Sequence, residues 1–248
     1  MDEIRVRRGR RCSGMGLGII LLDEEFPGFP GDMRNPSAYP FPIQYEVAEG
    51  VTSQALIFEE DKSPCLEAIQ RAALKLQGLG CRAIAGECGY FAYFQKHIAA
   101  TVDVPVFMSS LLQVPWAQQL IGPTRTVGVL VAFQQFFSQA HFDAVDLREG
   151  SNFVVSGAIE CGPCPELLKM CGHEDIDQRA ASYSQMELEF VRAARQFRQS
   201  HANMGALVLE CSAMPPFARA IQREIDLPVF SWGTLLEYAF SVVAHRGY

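Results

Sequence analysis

Short apolar runs alternate along the chain with longer segments in which apolar residues recur every three or four positions. The runs that suit strands buried on both faces include residues 17–22, 126–131 and 152–159. The periodic pattern is clearest over residues 181–200, where Met186, Phe190 and Phe197 would share one helix face. Strands that alternate with helices predict parallel sheets covered by helices, which is an α/β fold.

One unit of this pattern occurs twice, and its copies align without a gap when Cys88 is placed on Cys211. In both copies Glu precedes the cysteine by one residue, Phe follows it at six, Asp at fifteen, and Pro-Val-Phe begins at seventeen. Each copy predicts a buried strand, the cysteine, a helix and a second strand that Pro opens. Ligands of such sheets bind beyond the carboxyl ends of the strands, so both cysteines fall where a site is expected.

The position of the two cysteines predicts reactive thiols. Free N–H groups and the dipole at a helix N-terminus favour a thiolate, so we expect lowered pKa values for Cys88 and Cys211. Cysteine is also among the most frequently buried residues, but its recurrence at the same point of a repeat favours a function. Glu87 and Glu210 would either orient the thiols or hydrogen-bond at the helix ends.

The repeat predicts two similar lobes, each a parallel sheet flanked by helices. The first would comprise residues 1–120 and the second 121–229, with 230–248 packing back on the first lobe. If a pseudo-two-fold axis relates the lobes, Cys88 and Cys211 meet one small ligand from opposite sides of the cleft between them. One thiolate can then remove a proton from carbon and the other thiol can return one, which requires neither a metal nor a cofactor.

Two sets of residues are predicted to contact the substrate. Negative charge that develops on a carboxylate substrate would be stabilised by the backbone N–H groups of Gly89, Tyr90, Ser212 and Ala213. The irregular segment 24–42 follows the first strand at the same sheet edge, where long loops are often functional. Its polar candidates are Asp32, Arg34, Asn35 and Ser37. A packed loop without a binding role is an equally good interpretation of this segment.

Composition and charge narrow the class of protein. The net charge is −7, and the first eleven residues hold five Arg, so the remaining chain is more acidic still. This balance argues against a nucleic-acid partner, and no apolar run reaches the roughly 18 residues of a membrane span. The Arg-rich start has no apolar segment behind it and is interpreted as a disordered tail. The lack of a predicted secretory signal, together with eight cysteines, predicts a cytoplasmic protein with mostly free thiols.

A second cysteine motif, Cys161-Gly-Pro-Cys164, offers a different chemistry. Its spacing is that of thiol redox sites, and Cys171 with His173 adds possible zinc ligands. A zinc ribbon would need a second motif of this spacing, which the sequence lacks. A loop between a strand and a helix, with Pro163 and Pro165 near the helix start, is the favoured interpretation. A labile disulfide between Cys161 and Cys164 stays open.

The paired cysteines, the segment Leu-Glu-Cys-Ser-Ala-Met-Pro-Pro at 209–216 and the two Pro-Val-Phe strands resemble the aspartate/glutamate racemase superfamily. That group includes hydantoin racemases, maleate isomerases and arylmalonate decarboxylases. The resemblance runs from Gly18 to about Ala244 and implies two lobes with the active site between them, Cys88 and Cys211 as the catalytic pair, and a homo-oligomer. The first function that the resemblance implies is that of a racemase or isomerase of a small carboxylate or amino acid.

Other residues are more similar to a different branch of the superfamily. Amino-acid racemases usually carry Asn or Thr after their cysteines, where this chain has Gly89 and Ser212. The stretches 87–95 and 105–113 look more like the branch that contains algal-type dimethylsulfoniopropionate lyases. Such an enzyme would use a cysteine to take the proton α to the carboxylate and release dimethyl sulfide and acrylate. Tyr90 and Tyr93 would then be the aromatic candidates for contacting the sulfonium.

Overall fold

The computed structural model describes residues 16–147, 150–172 and 179–245, which form two four-stranded parallel sheets. The first sheet has the order β2-β1-β3-β4, from strands Leu17–Leu21 (β1), Ile43–Val47 (β2), Ala83–Gly86 (β3) and Val106–Phe107 (β4). The second has the order β6-β5-β7-β8, from Thr126–Val131 (β5), Phe153–Gly157 (β6), Met204–Leu209 (β7) and Val229–Phe230 (β8). The same strand order in both sheets confirms the predicted α/β fold with two similar halves.

Helices flank both sheets. Their bounds are Leu66–Gly78 (α1), Gln95–Ala99 (α2), Val114–Ile121 (α3), Gln139–Ala144 (α4), Pro165–Gly172 (α5), Tyr183–Ser200 (α6), Ala218–Ile225 (α7) and Trp232–Val243 (α8). The periodic face predicted for residues 181–200 is buried on α6, with Met186, Phe190 and Phe197 in the core of the second half. No helix among the described residues has both the length and the apolar character to cross a membrane.

The last helix packs on the first sheet. Trp232, Leu235 and Leu236 of α8 share a buried cluster with residues of β1 and β3 such as Ile19 and Ala85. The indole N–H of Trp232 donates to the backbone carbonyl of Glu210, just after β7, at 2.6 Å. Residues 232–243 therefore cover the first sheet and also contact the second, while the exact boundary between the lobes stays a prediction.

Two secondary-structure predictions from the pattern are wrong. The run at residues 56–59 predicts a short strand, but Gln54–Phe58 forms a π-helical turn, in which Leu56 is fully buried while Phe58 is exposed. The pattern over 133–142 predicts a single helix. Instead, Gln134–Phe136 is a 3-10 turn, and α4 begins only after Ser138, which caps it together with His141. The Arg-rich residues at the start of the chain lie outside the described residues.

Candidate active site

One cavity of about 70 Å³ lies where the carboxyl ends of four strands meet. Leu22 directly follows β1 and Ala132 directly follows β5, while a single glutamate separates Cys88 from β3 and Cys211 from β7. In each sheet these strands are the central pair, and the chain order reverses between them. The cavity therefore lies at the switch point of both sheets, which is where open α/β sheets bind ligands.

Of the residues predicted to react with or contact the substrate, seven besides Arg34 line this cavity. They are Asp32, Cys88, Gly89, Tyr90, Cys211, Ser212 and Ala213. Their common origin is the repeat, since all but Asp32 come from the segments that directly follow β3 and β7. Arg34, a polar candidate of the first irregular loop, lines the cavity as well.

Asn35 and Tyr93 are not among the residues that line the cavity. The Asn35 side chain caps a short turn, accepting from the backbone N–H of Ser37 and donating to the carbonyl of Gly28. Tyr93 lies one 3-10 turn farther from the strand end than Tyr90, and its ring packs against Phe94. Local hydrogen bonding and core packing thus account for both side chains.

Both cysteines line the cavity and are partly exposed, but the thiols are shielded from bulk water, and this reverses the pKa shift predicted for them. Burial raises the pKa of Cys88 and of Cys211 well above the usual value for a thiol. The backbone N–H groups of Tyr90 and Ala213 act in the opposite direction, each on the thiol two residues before it, but burial outweighs them. The segment after Cys88 is a 3-10 turn, Gly89–Phe94, followed by the short α2, so no long helix dipole offsets the loss of water.

A carboxyl–guanidinium group forms one side of the cavity. Glu87 is 2% exposed, and one of its oxygens accepts from the backbone N–H of Leu22 and from the Arg34 guanidinium. Asp32 accepts from the backbone N–H of Arg34 at 2.8 Å. Burial raises the pKa of Asp32 to about 6 and that of Glu87 to about 7, although Arg34 lowers both. These two acids therefore titrate between the ordinary range for carboxyls and neutrality.

Glu210 stands at the equivalent point of the second sheet but has different surroundings. It is completely buried, and neither of its carboxyl oxygens has a hydrogen-bond partner among the described residues. Burial raises its pKa well above the usual value for glutamate, which favours the neutral carboxyl over the carboxylate. Its carboxyl occupies the space into which a Cβ at Gly89 would project. An unpaired buried polar group of this kind costs about 1–3 kcal/mol, so its presence calls for an explanation.

Several lining residues were not predicted from the sequence. Ser53 and Ile57 come from the turn after β2, Met170 and Cys171 from the end of α5 after β6, and Phe26 from the loop after β1. Two guanidinium groups lie near the Phe26 ring, with Arg34 at 4.4 Å and Arg179 at 4.7 Å from its centroid. The strand order could have predicted the segments after β2 and β6. These two strands lie beside the central pairs, so their carboxyl ends are at the same sheet edges as the site.

The Cys161-Gly-Pro-Cys164 motif forms a strand-to-helix connection between β6 and α5 and does not line the cavity. The Cys161 sulfur lies 3.1 Å from the Ser156 hydroxyl, and the Cys164 thiol donates to the carbonyl of Ala158. Within residues 16–147, 150–172 and 179–245, no three His, Cys, Asp or Glu side chains are arranged to hold a metal ion. His173, the other possible zinc ligand, lies outside the described residues.

Comparison with known sequences finds lyases. No family model matches the chain. The chain is 28% identical over 229 residues to a dimethylsulfoniopropionate lyase of Durusdinium sp. clade D, an alignment that covers 86% of this chain and 70% of the relative. It is 26% identical over 227 residues to dimethylsulfoniopropionate lyase 3 of Emiliania huxleyi (strain CCMP1516), with 86% of this chain covered. The chain spans only 56% of that second relative's length.

Comparison with solved structures finds decarboxylases and racemases. Unliganded arylmalonate decarboxylase superposes with a TM-score of 0.58 at 12% identity, covering 95% of this chain and 94% of that one. A glutamate racemase of Bacillus anthracis superposes with a TM-score of 0.59 at 12% identity, covering 94% of this chain and 83% of that one. These matches confirm the racemase-like fold. The relatives and neighbours together confirm the expectation of an enzyme of the racemase, isomerase or lyase kind.

Proposed function

We propose that this protein eliminates dimethyl sulfide from dimethylsulfoniopropionate or a closely related sulfonium carboxylate, without a cofactor. The observation that carries the proposal is a small cavity lined by both repeated cysteines and otherwise walled mainly by apolar side chains. The similarity to curated dimethylsulfoniopropionate lyases over 86% of the chain supports the same reaction. Each S-methyl group needs an apolar contact, which a lining side chain such as Phe133 offers.

The proposed reaction needs one base. A thiolate, of Cys88 or Cys211, takes the proton from the carbon next to the carboxylate. The electrons of that C–H bond form the double bond to the next carbon as its bond to sulfur breaks, and neutral dimethyl sulfide leaves with the bonding pair. Acrylate remains and the thiol carries the proton, so atoms and charge balance. The second thiol stays protonated and faces the negative charge that develops on the substrate.

Recognition of the carboxylate end is assigned to Arg34. Its guanidinium is the cationic side chain among the residues that line the cavity, and 16% of the side chain is exposed. Its contacts with Glu87 and with the carbonyl of Glu24 hold it in place, and its remaining N–H groups can bind a substrate carboxylate. The backbone N–H groups of Gly89, Tyr90, Ser212 and Ala213 stay our proposed partners for the enolate-like charge.

Racemisation of a small carboxylate is the second candidate. The observation in its favour is that the two thiols hold equivalent positions of the repeat in one cavity, which suits removal of a proton on one face and its return on the other. Elimination is favoured over it because the curated relatives named above are lyases and because apolar groups line most of the cavity.

The described cysteines are all free thiols. A cytoplasmic location and assembly into a homo-oligomer stay parts of the proposal.

Product analysis separates the two candidates. Incubated with dimethylsulfoniopropionate in deuterated water, the protein should release dimethyl sulfide and acrylate in equal amounts, as measured by gas chromatography and proton NMR. With small amino acids and other chiral carboxylates it should exchange no Cα proton for deuterium. Deuterium exchange and loss of optical activity, with no acrylate from the sulfonium compound, would replace elimination by racemisation.

The pH dependence of kcat/KM should follow the raised pKa of the thiols. Because burial places the pKa of Cys88 and of Cys211 well above the usual value, the thiolate fraction of the free enzyme rises about tenfold per pH unit through the neutral range. The second thiol must keep its proton, and its raised pKa lies above this range, so kcat/KM should rise with pH and show no descending limb up to pH ~9. A descending limb below pH ~9 would contradict the raised pKa of the second thiol.

A further inference from the structure

The structure assigns to Glu210 the recognition of the substrate's cationic group, an inference that rests on the proposed function. The first observation is a break in the repeat. Glu87 and Glu210 occupy equivalent positions, and the backbone N–H of each bonds to the preceding central strand, at Ile20 and Leu130 respectively. The two side chains nevertheless differ, since Glu87 is bonded to Leu22 and Arg34 while both oxygens of Glu210 have no partner in the described part of the chain.

The second observation is the place of the Glu210 carboxyl. It lines the cavity and lies against the α-carbon of Gly89, so it reaches from the second lobe to the segment that carries Cys88. A side chain at position 89 would fill the same space. The lack of a side chain at Gly89 therefore leaves the space that the buried carboxyl of Glu210 occupies. This places an acidic group beside the segment that carries the thiol of Cys88.

The third observation is the separation of charge in the cavity. Arg34 is bonded to Asp32 and Glu87 on the side of the first irregular loop. No cation among the described residues is bonded to Glu210, and burial raises its pKa. A zwitterion that turns its carboxylate toward Arg34 would bring its positive sulfur toward Glu210. The carboxyl would then lose its proton and gain the partner that it lacks in the free protein, which would select a cationic substrate over a neutral one of the same shape.

Calorimetry can test this with two ligands of equal shape. Dimethylsulfoniopropionate and 4-methylpentanoate differ mainly in that CH replaces the charged sulfur. With Cys88→Ser as the parent, so that the ligand is not consumed, Glu210→Gln should weaken binding of the sulfonium compound by about 30-fold or more and leave that of 4-methylpentanoate unchanged or tighter. Glu189→Gln removes another buried carboxyl, which accepts from backbone N–H groups of α5. It should change neither affinity.

Proton release gives a readout that a structural role would not produce. The titratable groups that interact with Glu210 are Cys88, Cys211 and Tyr90, and all keep their protons at pH ~8 because burial raises their pKa values. Binding of the sulfonium compound should release protons, up to about one per chain, as measured in buffers of different ionisation enthalpy. The Glu210→Gln protein should release none.

Three results would overturn the inference: equal loss of affinity for both ligands in Glu210→Gln, no loss for either, or unchanged proton release. If Glu210→Gln does not fold, Glu210→Asp replaces it, and the retained charge should preserve the preference for the sulfonium compound. Failure of the proposed reaction is a separate result, because it would appear as absence of acrylate with the wild-type protein. The binding preference would still be measurable in that case.

Discussion

Serine in place of Cys88 or of Cys211 lowers kcat/KM for acrylate release by at least about two orders of magnitude, as expected for loss of a positioned acid or base. One thiol supplies the base, and its counterpart faces the negative charge of the same substrate. A serine hydroxyl is a far weaker acid than a thiol, so neither role survives the exchange. The measurement is steady-state kinetics on each variant, with circular dichroism to establish that both are folded.

Two other cysteines provide matched controls. Cys161 lies outside the cavity and Cys171 lines it, but neither belongs to the repeat. Cys161→Ser should keep wild-type activity, and Cys171→Ser should change kcat/KM only several-fold. Full activity in Cys88→Ser or Cys211→Ser would remove that thiol from the mechanism. A loss in Cys161→Ser as large as theirs would point to a general effect of thiol replacement on folding.

Alanine at Gly89 should nearly abolish activity and destabilise the protein by about 1–3 kcal/mol, the usual cost of overpacking a filled interior. The new methyl group would overlap the Glu210 carboxyl, which is fully buried and would have to move into the cavity that it lines. Backbone strain is not the cause, since Gly89 is not among the glycines with positive φ. Thermal or urea unfolding and acrylate release measure the two effects.

A double-mutant cycle identifies the cause of that loss. Glu210→Ala removes the carboxyl with which the added methyl group collides, so Gly89→Ala with Glu210→Ala should be more stable than Gly89→Ala alone, with a coupling of about 1 kcal/mol or more. Gly233→Ala is the control, because a Cβ there meets its nearest neighbour, the Ser231 hydroxyl, at 3.4 Å. Additive effects of the two substitutions would show that Gly89 is required for another reason.

The repeat made the two sheets predictable. Spacing around Cys88 and Cys211 identified β3 with β4 and β7 with β8, because a buried strand leaves an apolar run whatever packs on it. The spacing of apolar residues predicted helices less reliably where a side-chain hydrogen bond ends or restarts the helix. Ser138 restarts the helix at α4, and the Glu160 carboxylate accepts from the backbone N–H of Gln134 at 3.2 Å. Long-range bonds of that kind leave no mark on the sequence.

The site was predictable where it follows the strands and unpredictable where it depends on closure of the two lobes. The segments after β3 and β7 supplied the thiols and their neighbours. The direction of the thiol pKa shift was wrong, because burial comes from elements distant in sequence, such as Phe26 and Met170. The unpaired state of Glu210 was equally hidden, since its equivalent, Glu87, has the same sequence context and finds partners.

A crystal structure of Cys88→Ser with 4-methylpentanoate bound tests most directly whether one ligand lies between positions 88 and 211. We expect the carbon next to the carboxylate to lie within about 4 Å of two atoms, the hydroxyl oxygen that the substitution introduces at position 88 and the Cys211 sulfur. The carboxylate should point toward Arg34. A ligand that contacts only one of the two positions, or that binds outside this cavity, would contradict the two-thiol mechanism.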